Sequence, residues 1–131
     1  MKPYLLDTHA LVFWSLGQGM SPRLTAFLDR ANADGRLHVS AVSFWEAALL
    51  CAKGRLAIDD VAAWKEELVR LSGISLVTPD ADAMLASVGL PPHHKDPMDR
   101  LLVAQAMAMG ATLVSRDAVL ARYPVKLFWQ D

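Results

Sequence analysis

The sequence predicts an α/β fold: a central, mainly parallel sheet of four to five strands between two layers of helices. Three observations carry this. Short apolar segments and longer helical ones alternate along the whole chain with brief connections, the pattern of parallel strands joined by crossover helices. The first strand-like segment, Tyr4-Leu5-Leu6, is continuously apolar rather than alternating, as in a strand buried on both faces. Finally, 131 residues, of which 53% are hydrophobic, suffice for one domain with a real core, read here as residues 1–131.

Taken in order, Tyr4 to Leu6 reads as a buried strand and Ala10 to Trp14 as the start of a helix, with Asp7 or Thr8 accepting the free N–H groups of its first turn. Ser21-Pro22 caps a second helix carrying Leu24, Phe27, Leu28 and Ala31 at helical spacing, closed by Asp34-Gly35. Leu37 to Ser40 is a second strand, in which His38 is given no role. Ala41 to Ala52 is apolar almost all round, as a buried helix is, and its one charge is Glu46. Ser43-x-x-Glu46 fits a capping box at that helix's start, and Lys53-Gly54-Arg55 ends it. Asp59-Asp60 open an amphipathic helix with Val61, Trp64, Leu68 and Leu71 on one face, stopped by Ser72-Gly73. Ile74 to Val77 is a third strand, and Thr78-Pro79-Asp80 caps a short helix through Ala86. Gly89 to Lys95 is a stiff polar loop, after which Asp96 caps a helix with Pro97 in its first turn and Asp99 near its third position. Ala111 to Val114 is a fourth strand, Asp117 precedes a short helix to Ala121, and Val125 to Phe128 is an edge strand.

The formal net charge of −1 excludes the global basic surface of a general nucleic-acid coat, so any nucleic acid has to be gripped by local Arg and Lys or through a metal. The single Cys51 lies in an apolar run, where it reads as a core residue; it allows no internal disulfide and fits a reducing compartment. No signal peptide or membrane-spanning stretch is evident, so the reading is a soluble, cytoplasmic protein. The high apolar content points to surface left over for a partner or a second copy. Of the aromatic residues, Phe13, Trp14, Trp45 and Trp64 are better explained as core than as a groove.

In a parallel sheet, ligands bind outside the carboxyl ends of the strands. Asp7, Glu46, Asp99 and Asp117 each lie at or near a helix start, three of them just after a strand, so they can converge on one rim. Helix capping explains any one of them, because a helix N-terminus favours a carboxylate by ~0.3–1 kcal/mol. It does not explain four. Two carboxylates ~7 Å apart repel by roughly 2 kcal/mol at an effective dielectric of ~20, which outweighs the capping gain unless a cation intervenes. Oxygen-only ligands select a hard cation, Mg²⁺ or Mn²⁺.

Four blocks in order, Leu5-Leu6-Asp7-Thr8-His9-Ala10-Leu11, Ser40-Ala41-Val42-Ser43-Phe44-Trp45-Glu46-Ala47, His94-Lys95-Asp96-Pro97-Met98-Asp99-Arg100 and Leu113-Val114-Ser115-Arg116-Asp117, resemble the PIN-domain family, and within it the VapC-type toxin ribonucleases of type II toxin–antitoxin systems. The resemblance implies a PIN-like three-layer α/β/α sandwich and metal-dependent hydrolysis of RNA phosphodiester bonds by a metal-activated water. It implies that Asp7 and Asp99 hold the main Mg²⁺ (or Mn²⁺), with Glu46 and Asp117 completing a site that is at once catalytic and metal-binding. Asp96 and His94 match a subgroup pattern. Thr8, Ser43 and Ser115 are candidates for orienting ligands or water around that site, and Arg100 and Arg116 for meeting RNA phosphates. His93 and His94 read as loop residues rather than ligands, since imidazole suits softer metals. The implied partners are an RNA substrate, a small cognate antitoxin protein and a second copy of the chain.

Other acid-bearing α/β folds fit less well. A phosphoaspartate enzyme of the haloacid-dehalogenase kind wants a second acid two residues after the first, where this chain has His9. A receiver domain needs a paired acid near its first strand and a late Lys after a strand, and a dinucleotide fold needs a Gly-rich loop; none is found. The alternative from another class is a non-catalytic PIN-like module that dimerises and binds a partner protein.

Overall fold

A computed structural model describes residues 2–131. Five short strands, β1 (Tyr4–Leu6), β2 (Leu37–Ser40), β3 (Ser75–Val77), β4 (Thr112–Val114) and β5 (Leu127–Phe128), form one sheet in the order β3-β2-β1-β4-β5. Every pairing is parallel, so the edge strand β5 follows the rest. The chain winds outward from β1 to β3, then returns to β4 on the other side of β1. The order therefore reverses beside β1, and the crevice beyond the carboxyl ends of β1 and β4 is where such sheets receive ligands.

Alternation along the strands divides the core in two. On one face Leu6, Leu37, Val39 and Val114 pack with α1 (Thr8–Leu16), α2 (Pro22–Ala33) and α4 (Val61–Ser72) through Leu11, Leu24, Leu28, Trp64 and Leu68. On the other, Leu5 and Leu113 pack against α6 (Pro97–Met109) and the single-turn 3₁₀ helix Ala118–Arg122, through Leu102, Val103, Leu120 and Tyr123. α3 (Ala41–Ala52) serves both cores, with Phe44 in one and Val42 in the other, which is why it is apolar nearly all round. α5 (Ala81–Gly89) lies against α6.

Several local expectations are corrected. Ser43 does not cap α3: Ser40 does, its Oγ accepting from Val42 N at 3.1 Å, and Glu46 lies too deep in the helix to reach back to its start. α5 runs on to Gly89 rather than Ala86, stopping only at Leu90, which is extended because a residue before proline avoids the helical region. The helix after Asp117 is 3₁₀. Trp45 is 58% exposed and Leu71 66% exposed, so neither is core, and Cys51 is only half-buried. Among the described residues no helix is long and apolar enough to cross a membrane.

Candidate metal centre

Asp7 follows β1 directly and caps α1, its Oδ1 accepting from Ala10 N at 2.8 Å. The same turn places Thr8 as the first residue of α1. Its hydroxyl donates to Glu46 Oε1 from 38 residues away and lies 3.1 Å from Ser43 Oγ. Having one proton, given to Glu46, Thr8 accepts at that second contact. Ser43, Thr8 and Glu46 are thus a buried relay tying α3 to the end of β1. Asp96 caps α6 through Met98 N at 2.9 Å, and Asp99 sits one position later in its first turn. Asp117 caps the 3₁₀ helix, and its own N–H donates to Ser115 Oγ at 3.1 Å.

Those local turns bring the acids together. Asp7, Asp99 and Asp117 line a cleft of about 310 Å³ with His9 and Arg116. A neighbouring cleft of about 380 Å³ holds Glu46, Asp96, Thr8 and, again, Asp99 and His9. Oxygens of Glu46, Asp96 and Asp99 lie within 4.8 Å of one another, and so do the ligating atoms of His94, Asp99 and Asp117. Asp99 belongs to both groups.

The charges register that crowding. Burial raises the Asp7 carboxyl, and hydrogen bonds from Ser115 and Ala10 only partly offset it. Burial likewise raises Glu46, opposed by the Thr8 hydroxyl and reinforced by Asp96 and Asp7. Asp99 is pushed up to about 7, first by burial, then by the negative charges of Asp96 and Glu46. Carboxylates so arranged want a cation among them, and every carboxylate donor is a hard oxygen, which suits Mg²⁺ or Mn²⁺. The donor set therefore fits such an ion.

Two basic candidates divide. Arg116 is at the rim, its guanidinium over the Phe13 ring at 4.9 Å and facing the Asp7 cleft. Arg100 is turned away: it donates to Val88 O at 3.1 Å and Leu90 O at 2.7 Å, so it ties α6 to the end of α5 instead of facing phosphate. His94 does more than sit in its loop. Its Nε2 is 2.9 Å from Asp117 Oδ2 and 3.3 Å from Asp99 Oδ2. The Asp117 contact has no local signal in the sequence, because the two residues lie 23 apart in the chain. His9, which lines both clefts, has as its only sequence signal its place as the second residue of α1, two residues after Asp7.

A parallel sheet whose strand order reverses beside β1, with carboxylates converging over that point, defines an open α/β domain with an acidic site at its switch point. The chain belongs to the PIN domain family, which matches it over residues 4–126. It is 32% identical over 120 residues to Ribonuclease VapC22 of Mycobacterium tuberculosis (strain ATCC 25618 / H37Rv), covering 89% of this chain and 88% of that protein. Its fold is similar to VapBC2 from Rickettsia felis bound to a DNA fragment from their promoter (TM-score 0.69, 19% identity, 97% of this chain and 98% of that one). It is also similar to FitAcB from Neisseria gonorrhoeae (TM-score 0.62, 20% identity, 95% and 96% coverage).

Proposed function

We propose that this protein is a cytoplasmic metal-dependent endoribonuclease, the toxin of a type II toxin–antitoxin pair. One observation carries the reading: oxygens of Glu46, Asp96 and Asp99 lie within 4.8 Å of one another and Asp99 is also grouped with Asp117, a crowding of negative charge that a folded chain has reason to retain only if a cation relieves it. The likeness to Ribonuclease VapC22 supports the RNA substrate. A non-catalytic interaction module gains nothing from such crowding.

Asp7 and Asp99 would hold Mg²⁺ or Mn²⁺, with Glu46 and Asp117 completing the set. When bound, the ion supplies neutralisation of phosphate charge and a water of lowered pKa. The chain supplies the rest. Thr8 fixes the Glu46 carboxylate by hydrogen bonding, as Ala10 N–H and Ser115 fix Asp7. Glu46 would complete that set through water, which leaves Oε2, the oxygen Thr8 does not bond, to accept a proton, and burial raises its proton affinity. His9 and Arg116 at the rim orient the RNA backbone, Arg116 being pre-set by its stacking on Phe13.

A small antitoxin and a second copy of the chain are the proposed protein partners. Uncovered apolar surface supports the second copy: on α5, Leu85 and Val88 are 72% and 78% exposed, with Met84 beside them. The deciding experiment is incubation with defined RNAs, with and without Mn²⁺. Internal cleavage only with Mn²⁺ is the expected result, and intact RNA in both arms overturns the reading.

A further inference from the structure

We propose that His94 is a positioning residue whose Nε2, hydrogen-bonded to Asp117 and close to Asp99, sits between the two carboxylates and gives way when a divalent cation binds them. The inference rests on the metal reading above. It begins from a hydrogen bond on the other side of the imidazole from those two carboxylates. His94 Nδ1 is 3.1 Å from the backbone N of Asp96. A backbone N–H only donates, so Nδ1 offers its lone pair and the ring proton sits on Nε2. That N–H bonds to Asp117 Oδ2, 2.9 Å away, and the same nitrogen lies 3.3 Å from Asp99 Oδ2. As placed, neither nitrogen has a lone pair free for a metal. His94 makes instead the bridging contact that a cation shared by those two carboxylates would make.

The loop carrying His94 is clamped at both ends. Tyr123, 3% exposed, accepts from His94 N at 3.0 Å and donates to Pro91 O at 2.7 Å. Arg100 holds the carbonyls of Val88 and Leu90. The backbone is therefore pinned, and the imidazole yields by rotating about its own side-chain bonds. Two effects then act in one direction. Without His94 the cation no longer displaces a donor, and the cation-free carboxylates lose the N–H that eases their repulsion.

Both effects make a variant lacking the donor bind a cation more tightly. Calorimetric titration of the full chain with Mn²⁺ at constant pH is the test. His94→Ala should bind about tenfold more tightly than wild type, since a hydrogen bond to a charged group is worth on the order of tenfold or more in an equilibrium constant. Its cation-free melting temperature should fall below that of wild type. His94→Gln, whose amide N–H reaches a similar position, should bind within about threefold of wild type on the same scale. Weaker or unchanged binding by His94→Ala overturns the proposal, because a ligand or an outer-sphere support for the bound ion loses affinity when removed. If His94→Ala does not fold, Tyr123→Phe takes its place: tighter Mn²⁺ binding than wild type supports the proposal, and equal or weaker binding overturns it. A wild-type protein that binds no Mn²⁺ overturns the metal reading itself, and the role of His94 with it, which separates the two failures.

Discussion

A carboxylate in the first turn of a helix has a local reason to be ionised, because the unpaired N–H groups there favour negative charge. At Asp99 that preference loses: burial and the charges of Asp96 and Glu46 push it up to about 7. A carboxyl whose folded value lies above its unfolded one stabilises the fold in its protonated form. That contribution is complete below about pH 4 and disappears as pH rises through about 7. Without divalent cation, this contribution to the melting temperature should therefore decline between about pH 4 and pH 7, and Asp99→Asn should flatten the decline. Relief of on the order of 1–2 kcal/mol of repulsion should also raise that variant's melting temperature at pH 8 by about 3–7 °C while RNA cleavage is lost. A variant that cleaves normally refutes the role assigned to Asp99. Thr8→Val tests the relay to Glu46: cleavage should drop about 10–100-fold, as when a group that orients a ligand is removed, and Thr8→Ser should restore most of it.

At the scale of elements, each acid owes its position to a cap. Asp7 follows β1 and starts α1; Asp96 starts α6 and so sets Asp99 on the turn facing Glu46; Ser115 follows β4 and holds the backbone of Asp117. Ser40 starts α3 and decides the rotation that points Glu46 inward, a task the spacing Ser43-x-x-Glu46 wrongly suggested for Ser43. Ser40→Ala should cost about 1 kcal/mol, seen as a midpoint shift in urea unfolding with unchanged slope. Ser43→Ala should leave the helix cap intact and lower cleavage through Thr8; a cost to cleavage no greater than to folding would count against the relay. The strands and most helices were legible because their signals are local: apolar runs, Asp or Ser before a helix, Gly after it. Gly73 and Gly110, at φ +68° and +65°, end α4 and α6 as those signals predict.

Across the whole molecule, two cores on either side of a five-stranded parallel sheet leave two neighbouring clefts that share Asp99, and the four predicted acids are divided between them. A cation that binds only the folded state stabilises it by about 2.7 kcal/mol at a hundredfold excess over its dissociation constant, so Mn²⁺ should raise the melting temperature by about 10 °C and a chelator should reverse it. The apolar face of α5 belongs to the same scale. Charges placed there, Leu85→Asp with Val88→Asp, should turn a sedimenting dimer into a folded monomer, and a dimer unaffected by both would move the contact elsewhere.

The sequence by itself determined the strand–helix alternation, the parallel sheet and the four acids at helix starts, because hydrophobic periodicity and capping act over a few residues. Only the tertiary structure decided which cations face those acids, that Arg100 is turned to carbonyls, and that His94 reaches Asp117. A long side chain's direction is set by whatever partner packing brings near it, and here those partners lie 10 to 23 residues away along the chain.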